Sequence, residues 1–298
     1  MISVFYFLLD LIPGDPESPF ALFCYRAAQV IANLLTKLWV SKKSGVHTGQ
    51  GETVIVSLTS FTARIHSVST TIKSLMRQSV KPDRIILWLA ESQFPSEASL
   101  PSELLALKKR GLEIRFCEDL KPHKKYLYTM KENPDAIVIT CDDDLIYPEN
   151  TIERLLAKHR KYPDCVCCNR GHEILFDESG VLPYMKWRHQ AVDFTEPTHL
   201  LCATGCGGVL YPPHCLDEEV FDIDAIRELA LCADDLWLKV MEVKNGTRVV
   251  YTDHFPQRLF FVKNSQKEKL HAFNLEHDGN DEVWRKLDAR YHINDMLR

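Results

Sequence analysis

Three consecutive carboxylates, Asp142, Asp143 and Asp144, close the apolar stretch Ala136 to Cys141 and precede Leu145, Ile146, Tyr147 and Pro148. A short β-branched run ending in clustered acids reads as a buried parallel strand. It delivers anions to the carboxyl edge of a sheet, where open α/β folds bind ligands. Adjacent carboxylates repel one another, so a cation is expected against them, and a hard divalent ion carrying a phosphate ligand suits such oxygens. The run has a second reading, an acidic turn capping a helix that starts near Pro148, because Asp favours such positions. A second acidic pair, Asp234 and Asp235, opens a helical pattern that runs to Met241. Helix capping alone explains one of those two acids.

Such acids need a sheet to hold them, and the first half of the chain predicts one. Thr53 to Leu58 reads as a strand, Ser67 to Gln78 as a helix with Val68, Ile72, Leu75 and Met76 on one face, and Arg84 to Leu89 as a second strand. Pro101 to Arg110 reads as a helix with Pro in its first turn and Gly111 past its end. Leu112 to Cys117 is a third strand, His123 to Glu132 a short helix, and Ala136 to Cys141 the fourth strand. Strands alternating with helices at this spacing predict a mostly parallel, doubly wound sheet whose loops gather on one edge. Four such loops, 59–64, 90–94, 118–125 and 142–147, then line one crevice with Thr59, Arg64, Glu91, Asp119, Lys124 and Lys125 in it. Cations beside carboxylates fit a metal-bound diphosphate. The chain has neither a GxGxxG nor a GxxxxGK[ST] motif, which argues against a dinucleotide dehydrogenase and a P-loop NTPase.

The second half is less regular. Pro148 to Tyr162 predicts a helix and Cys165 to Arg170 a strand, while Tyr184 to Pro197, with Trp187, Arg188 and His189, shows no period. Thr204 to Pro213 is rich in small residues, which let a backbone approach a ligand or turn tightly; a loop without chemistry is the other reading. At the other end of the chain, Met1 to Ile12 is apolar but too short to span a bilayer. Phe20, Phe23, Ala27, Val30, Ile31, Leu34, Leu35 and Leu38 then recur at helical steps, with Arg26, Gln29, Asn33 and Lys37 on the other side. Membrane-surface contact and homo-oligomer contact are both open for residues 1–40.

Composition bounds the rest. With 298 residues, 45% of them hydrophobic, the chain can bury one large α/β core or two smaller ones. A net charge of -5 argues against a nucleic-acid partner. No cleavable secretory signal is evident, so a cytoplasmic protein, peripheral on the cytoplasmic face of a membrane if residues 1–40 bind there, is expected to keep its ten cysteines reduced. Cys117, Cys141, Cys202 and Cys232 read as small apolar residues. The cluster Cys165, Cys167 and Cys168 lacks the paired CxxC knuckles of a structural zinc site and reads as a Cys-rich strand.

In their order and spacing these pieces resemble glycosyltransferases of the GT-A fold, specifically the inverting family 2 enzymes of the polysaccharide and capsule branch. The resemblance rests on the Ser57 to Arg64 loop, on Ser74 to Gln78 as the S-l-x-x-Q helix, and on Asp142 to Asp144 with Pro148 as the D-x-D motif and its downstream proline. It also rests on Thr204 to Tyr211 as the acceptor-side loop and on Asp234 to Leu238 as the E-D motif, covering Thr53 to Thr252. The chain departs from the family after the second strand, where Leu89 to Glu91 replaces an Asp-Asp or Asp-Gly pair, and at Asp234, which replaces Glu. Asp119 to Tyr126 resembles a D-x-x-P-x-x-K pattern, which implies Lys124 or Lys125 near the donor phosphates.

The resemblance implies a GT-A α/β catalytic domain over residues 51–255, with a nucleotide-sugar half (51–150) and an acceptor half (151–255). A helical segment and linker (1–50) precede it and a helical extension (256–298) follows. It implies transfer of a sugar, from a UDP-sugar as the expected donor, to a glycan or lipid-linked acceptor. Mn²⁺ or Mg²⁺ on Asp142 and Asp144 would stabilise the departing diphosphate, with His254, or less favourably His271, as a further ligand. Thr59, Arg64, Glu91, Asp119, Lys124, Lys125, Asp142 and Asp143 are the expected donor-binding residues, although Asp143 should matter least of the three acids. Asp235, with Asp234 second, is the expected base that takes the acceptor proton. Two alternatives are a sugar-phosphate nucleotidyltransferase, disfavoured because Ser57 to Arg64 has no glycine, and a non-catalytic nucleotide-sugar or glycan binder.

Overall fold

The computed structural model describes residues 2–12, 15, 17–39, 41, 43–47, 49, 51–178, 180–253, 255–256, 258–265 and 279–297. Its centre is a seven-stranded mixed sheet. The strands are β1 (Val54–Thr59), β2 (Arg84–Ala90), β3 (Leu112–Cys117), β4 (Ile137–Cys141), β6 (Val166–Cys168), β11 (Val209–Tyr211) and β12 (Val249–Tyr251), in the order β12-β6-β11-β4-β1-β2-β3. The first four pair parallel, as their continuous apolar runs demand of strands covered on both faces. Thr204 to Pro213 departs from the expected loop. Its second half is β11, which runs antiparallel between β4 and β6, so the small residues of this run lead directly into a central strand.

Short pairs complete the strands. They are β5 (Leu145–Ile146) with β13 (Phe260–Phe261), β7 (Gly171–Glu173) with β10 (Leu201–Ala203), and β8 (Phe176–Asp177) with β9 (Gly180–Val181). The connecting helices α3 (Val68–Leu75), α5 (Leu127–Glu132) and α6 (Thr151–Lys161) fall where the apolar periods lie. The expected helix over 101–110 splits into α4 (Ser102–Ala106) and a 3-10 turn, Leu107–Arg110, that ends at Gly111 with φ 101°. The segment from His123 likewise begins as a 3-10 turn, Lys121–Lys125, before α5. The second half of the chain adds α7 (Ile223–Leu229) and α8 (Asp234–Lys244), against which α9 (Gly279–Tyr291) and α10 (Ile293–Met296) pack.

Two helices precede the sheet, α1 (Ile2–Asp10) and α2 (Pro19–Leu38), the latter capped where Ser18 Oγ accepts the Ala21 N–H at 3.3 Å. They share one apolar core with the rest of the chain: Ile2, Tyr6, Ala28 and Ala32 are buried with residues of the main sheet. The face that α2 buries is the narrow one, Ala21, Ala28, Ala32 and Thr36. Its broad apolar face points outward. Among the described residues no helix is long and apolar enough to cross a membrane.

Candidate functional site

The carboxyl ends of β1 and β4, the 3-10 turn after β3 and the N-terminus of α8 enclose a cleft of about 730 Å³. Parallel pairing of β1 with β4 brings their ends to one edge, and register fixes Leu58 opposite Cys141, one residue before the acidic run. The turn beyond that run is locked from α3. Ser74 Oγ accepts the Tyr147 N–H at 3.0 Å, while the Gln78 amide donates to the Pro148 carbonyl at 2.7 Å and accepts the Ile152 N–H at 3.0 Å. This is the physical content of the Ser74 to Gln78 pattern: it ties α3 to the acidic loop and to the start of α6. Asp142 is steadied by Tyr147, whose hydroxyl accepts the Asp142 N–H at 2.8 Å.

Arg64 serves two of the three acids and Lys125 the third. Asp143, expected to matter least, is buried. Its oxygens accept from Ser60 Oγ at 2.5 Å and Arg64 Nη1 at 2.7 Å, and its carbonyl accepts from Thr71 Oγ1 at 2.8 Å. Through these bonds Asp143 ties the loop after β1 and the start of α3 to the acidic run. Arg64 Nη1 also stands 3.1 Å from Asp144 Oδ2, and burial, which alone would lower the guanidinium pKa, is outweighed by these acids, which raise it. Asp142 faces Lys125 at 3.1 Å.

Lys125 is buried and also lies 2.8 Å from Asp234 Oδ2. Burial would lower its pKa, but Asp142, Asp234 and Asp235 raise it well above the ordinary lysine value. Burial raises the pKa of Asp234, yet Lys125 and then His123 bring it below the ordinary range. Asp235 differs. Burial, followed by the neighbouring Asp234 charge, pushes its carboxyl up to about 8, even though Oδ1 accepts the Gly205 N–H at 3.1 Å. Two adjacent acids are thus separated into one held ionised and one that titrates near neutral pH, the arrangement by which sites assign acid and base roles. Beneath them His123 is neutral, its pKa lowered to about 4 by burial, with Nε2 set against the Ala230 carbonyl at 2.9 Å and Nδ1 against Tyr126 Oη at 2.8 Å.

Gly205 lies close against the charged pair. A β-carbon there would come within 2.6 Å of Lys125 Nζ and 2.7 Å of Asp142 Oδ1. The small-residue run therefore lets the backbone lie against the charged pair while the N–H of Gly205 itself orients Asp235.

Thr59, Arg64, Asp119, Lys124, Lys125, Asp142, Asp143, Asp144, Asp234 and Asp235 all line the cleft. Thr59 turns its hydroxyl to the Trp88 carbonyl at 2.9 Å. Lys124 lies 2.6 Å from Asp119 Oδ1, and although burial works the other way, Lys121 and Lys124 hold the Asp119 carboxyl well below its ordinary range. Glu91 is exposed and does not line the cleft; Gln93, two residues on, does, with its amide 3.0 Å from Asp119. The residue pointing inward from a turn after a strand cannot be read from periodicity. His254 and His271 lie outside the described residues. Sequence reasoning also missed Ser60, Arg170, His172 and Tyr184, which line the same cleft. His172 stacks on His189 with ring centroids 4.3 Å apart, and Tyr184 meets His172 edge to face, an aromatic wall assembled from a stretch without a regular period.

Among the described residues, no group of three or more His, Cys, Asp or Glu side chains is arranged to hold a metal ion by itself. Asp142 and Asp144 nevertheless present hard carboxylate oxygens to the cleft, each already facing a cation, Lys125 and Arg64. That donor set suits Mg²⁺ or Mn²⁺ bound through one or two carboxylates and completed by phosphate oxygens and water.

No known protein-family profile matches the chain, and no curated protein matches it in sequence. Among solved structures it is similar to the mannosyltransferase PcManGT of Pyrobaculum calidifontis, described in complex with GDP-Man and Mn²⁺, at 12% identity and TM-score 0.48 over 97% of this chain and 75% of that one. It is also similar to residues 1–349 of TarS from S. aureus in complex with UDP, at 13% identity and TM-score 0.45 over 70% of this chain and 59% of that one. A third likeness, at 10% identity and TM-score 0.39 over 69% and 90% of the two chains, is to CMP:2-keto-3-deoxy-manno-octonic acid synthetase complexed with CTP.

Proposed function

We propose that the chain is a metal-dependent, inverting glycosyltransferase of the GT-A fold and family 2 type. It moves a sugar from a nucleoside-diphosphate donor, with UDP as the expected nucleotide, to a hydroxyl of a glycan or lipid-linked acceptor. The observation that carries this reading is the pair Asp234 and Asp235, split by Lys125 into an ionised carboxylate and a basic one, on the same cleft as Asp142 and Asp144. Asp235, once ionised, is the stronger base of the two and takes the acceptor hydroxyl's proton as that oxygen attacks the anomeric carbon. Gly205 orients its carboxylate through the backbone N–H. Asp142 and Asp144 would hold Mn²⁺ or Mg²⁺, which supplies Lewis-acid charge to the leaving diphosphate. Arg64 and Lys125, already against those acids, add fixed positive charge, and Lys124 and Lys121 extend it towards Asp119.

A panel of nucleotide sugars with Mn²⁺ and a mixed glycan acceptor pool tests the reading. Release of nucleoside diphosphate that depends on both sugar donor and acceptor is expected, and Asp144→Ala should abolish it. Pyrophosphate release from a nucleoside triphosphate and a sugar phosphate would point to nucleotidyl transfer instead. Metal-dependent nucleotide binding with no turnover would point to a binder.

A further inference from the structure

The apolar stripe of α2 does not pack on the domain. Ala21, Ala28, Ala32 and Thr36 face inward, and Asn33 secures that side, donating to the Phe261 carbonyl at 2.9 Å and accepting the Lys263 N–H at 2.7 Å. The opposite side carries Phe20, Phe23, Val30, Ile31, Leu34 and Leu38, with Phe23 69% and Val30 68% exposed. Beside it, α1 buries only Ile2 and Tyr6 and turns Phe7 and Leu8 outward, Phe7 61% exposed. The two helices pack on each other, so these side chains belong to adjoining surfaces.

A soluble surface rarely leaves so many large apolar side chains together without a partner. Charge indicates which partner. The chain as a whole is acidic, at -5, yet α2 carries Arg26 and Lys37 and no acid, and the one charged residue of α1 is Asp10, its last. Helical periodicity sets both along one border of the stripe, and both are exposed. A second copy of this face would bring like charges together, whereas an anionic surface attracts them. Phe and Leu on one side with Arg and Lys at the border is the pattern of a helix lying in a lipid interface. At 20 residues, α2 is about 30 Å long and lies along the domain surface.

We infer that the outward faces of α1 and α2 form a monotopic seat on a bilayer bearing anionic lipids. The seat adjoins the cleft, because the Phe261 whose carbonyl receives Asn33 also lines it. The inference stands independently of the proposed transferase activity.

Co-sedimentation of the full chain with vesicles tests it. We expect binding to vesicles of phosphatidylcholine with about 30% phosphatidylglycerol, weaker binding to phosphatidylcholine alone, and loss of the difference in high salt. The double variant Phe23→Glu/Val30→Glu should lose at least about tenfold in binding, and Arg26→Glu/Lys37→Glu should lose the preference for anionic vesicles while keeping the wild-type circular dichroism and melting curve. Neither variant touches the cleft, so any catalytic activity in detergent-free buffer should be unchanged. No sedimentation with either vesicle, or equal sedimentation of wild type and Phe23→Glu/Val30→Glu, overturns the inference. So does a wild-type dimer in solution that this variant converts to monomer without any effect on lipid binding.

Discussion

Lys125 Nζ stands 2.8 Å from Asp234 Oδ2, joining the turn after β3 to the first turn of α8, 109 residues away in sequence. With Asp142 at 3.1 Å on the other side, this buried ammonium ties the acidic run after β4 to the Asp234 and Asp235 pair. Lys125→Met should therefore do two things. Leaving buried carboxylates without their cation should cost roughly 3–5 kcal/mol in chemical denaturation. Because Lys125 also opposes the rise in the Asp235 pKa, the variant's pH–rate profile should move to higher pH.

Asp235 sets a second pH test. Its folded pKa of about 8 lies above the unfolded value of about 3.9, so the native state holds a proton that the unfolded state releases between those limits. A group shifted this way favours folding at low pH and loses that contribution as pH rises through about 8. Asp235→Asn, which keeps an oxygen for the Gly205 N–H, should accordingly gain stability over wild type progressively from about pH 4 to pH 8, seen as a growing difference in Tm. Activity of the wild type should rise over the same range as the base ionises.

Gly205→Ala tests the close approach of backbone to ion pair. Its β-carbon must displace Lys125 or Asp142, so we expect a loss of about 1–3 kcal/mol in stability and a larger loss in transfer rate. Gly49→Ala, which meets nothing within 4 Å, serves as the control and should be neutral in both assays.

Much of this arrangement is legible in the chain. Continuous apolar runs specify β1 to β4, and the rule that parallel strands gather their loops on one edge brings Arg64, Asp119, Lys125 and Asp142 to one cleft. What is not legible depends on contacts distant in sequence. Nothing local to Asp143 shows that Ser60 and Arg64 claim its two oxygens, and nothing local to Asp235 shows that Lys125 serves its neighbour instead. The period of α2 identifies an apolar stripe but not its direction. The helix is fastened instead by Asn33 and by Tyr25, whose hydroxyl donates to the Leu259 carbonyl at 2.7 Å, while its small residues pack inward.

The N-terminal helix provides a separate stability test. The Glu149 carboxylate accepts the Ile2 N–H at 2.8 Å and the Ser3 N–H at 2.7 Å, fastening α1 beside the turn after the acidic run. Burial opposes ionisation, but these donors and Ser3 Oγ lower the Glu149 pKa to about 2. A depressed carboxylate contributes stability above its unfolded pKa of about 4.5, and loses it as pH falls through about 2. Glu149→Gln should thus be less stable than wild type at pH 7 and approach it towards pH 2, with amide exchange in α1 accelerated at neutral pH.

The assignment of Asp235 as the base is tested most directly by measuring donor- and acceptor-dependent nucleoside diphosphate release by wild type and Asp235→Asn, side by side, with Mn²⁺ at pH 8. That assignment predicts that the variant, folded and still binding nucleoside diphosphate with wild-type affinity, loses about 10²–10⁴-fold in turnover. Equal turnover in the two proteins would contradict it.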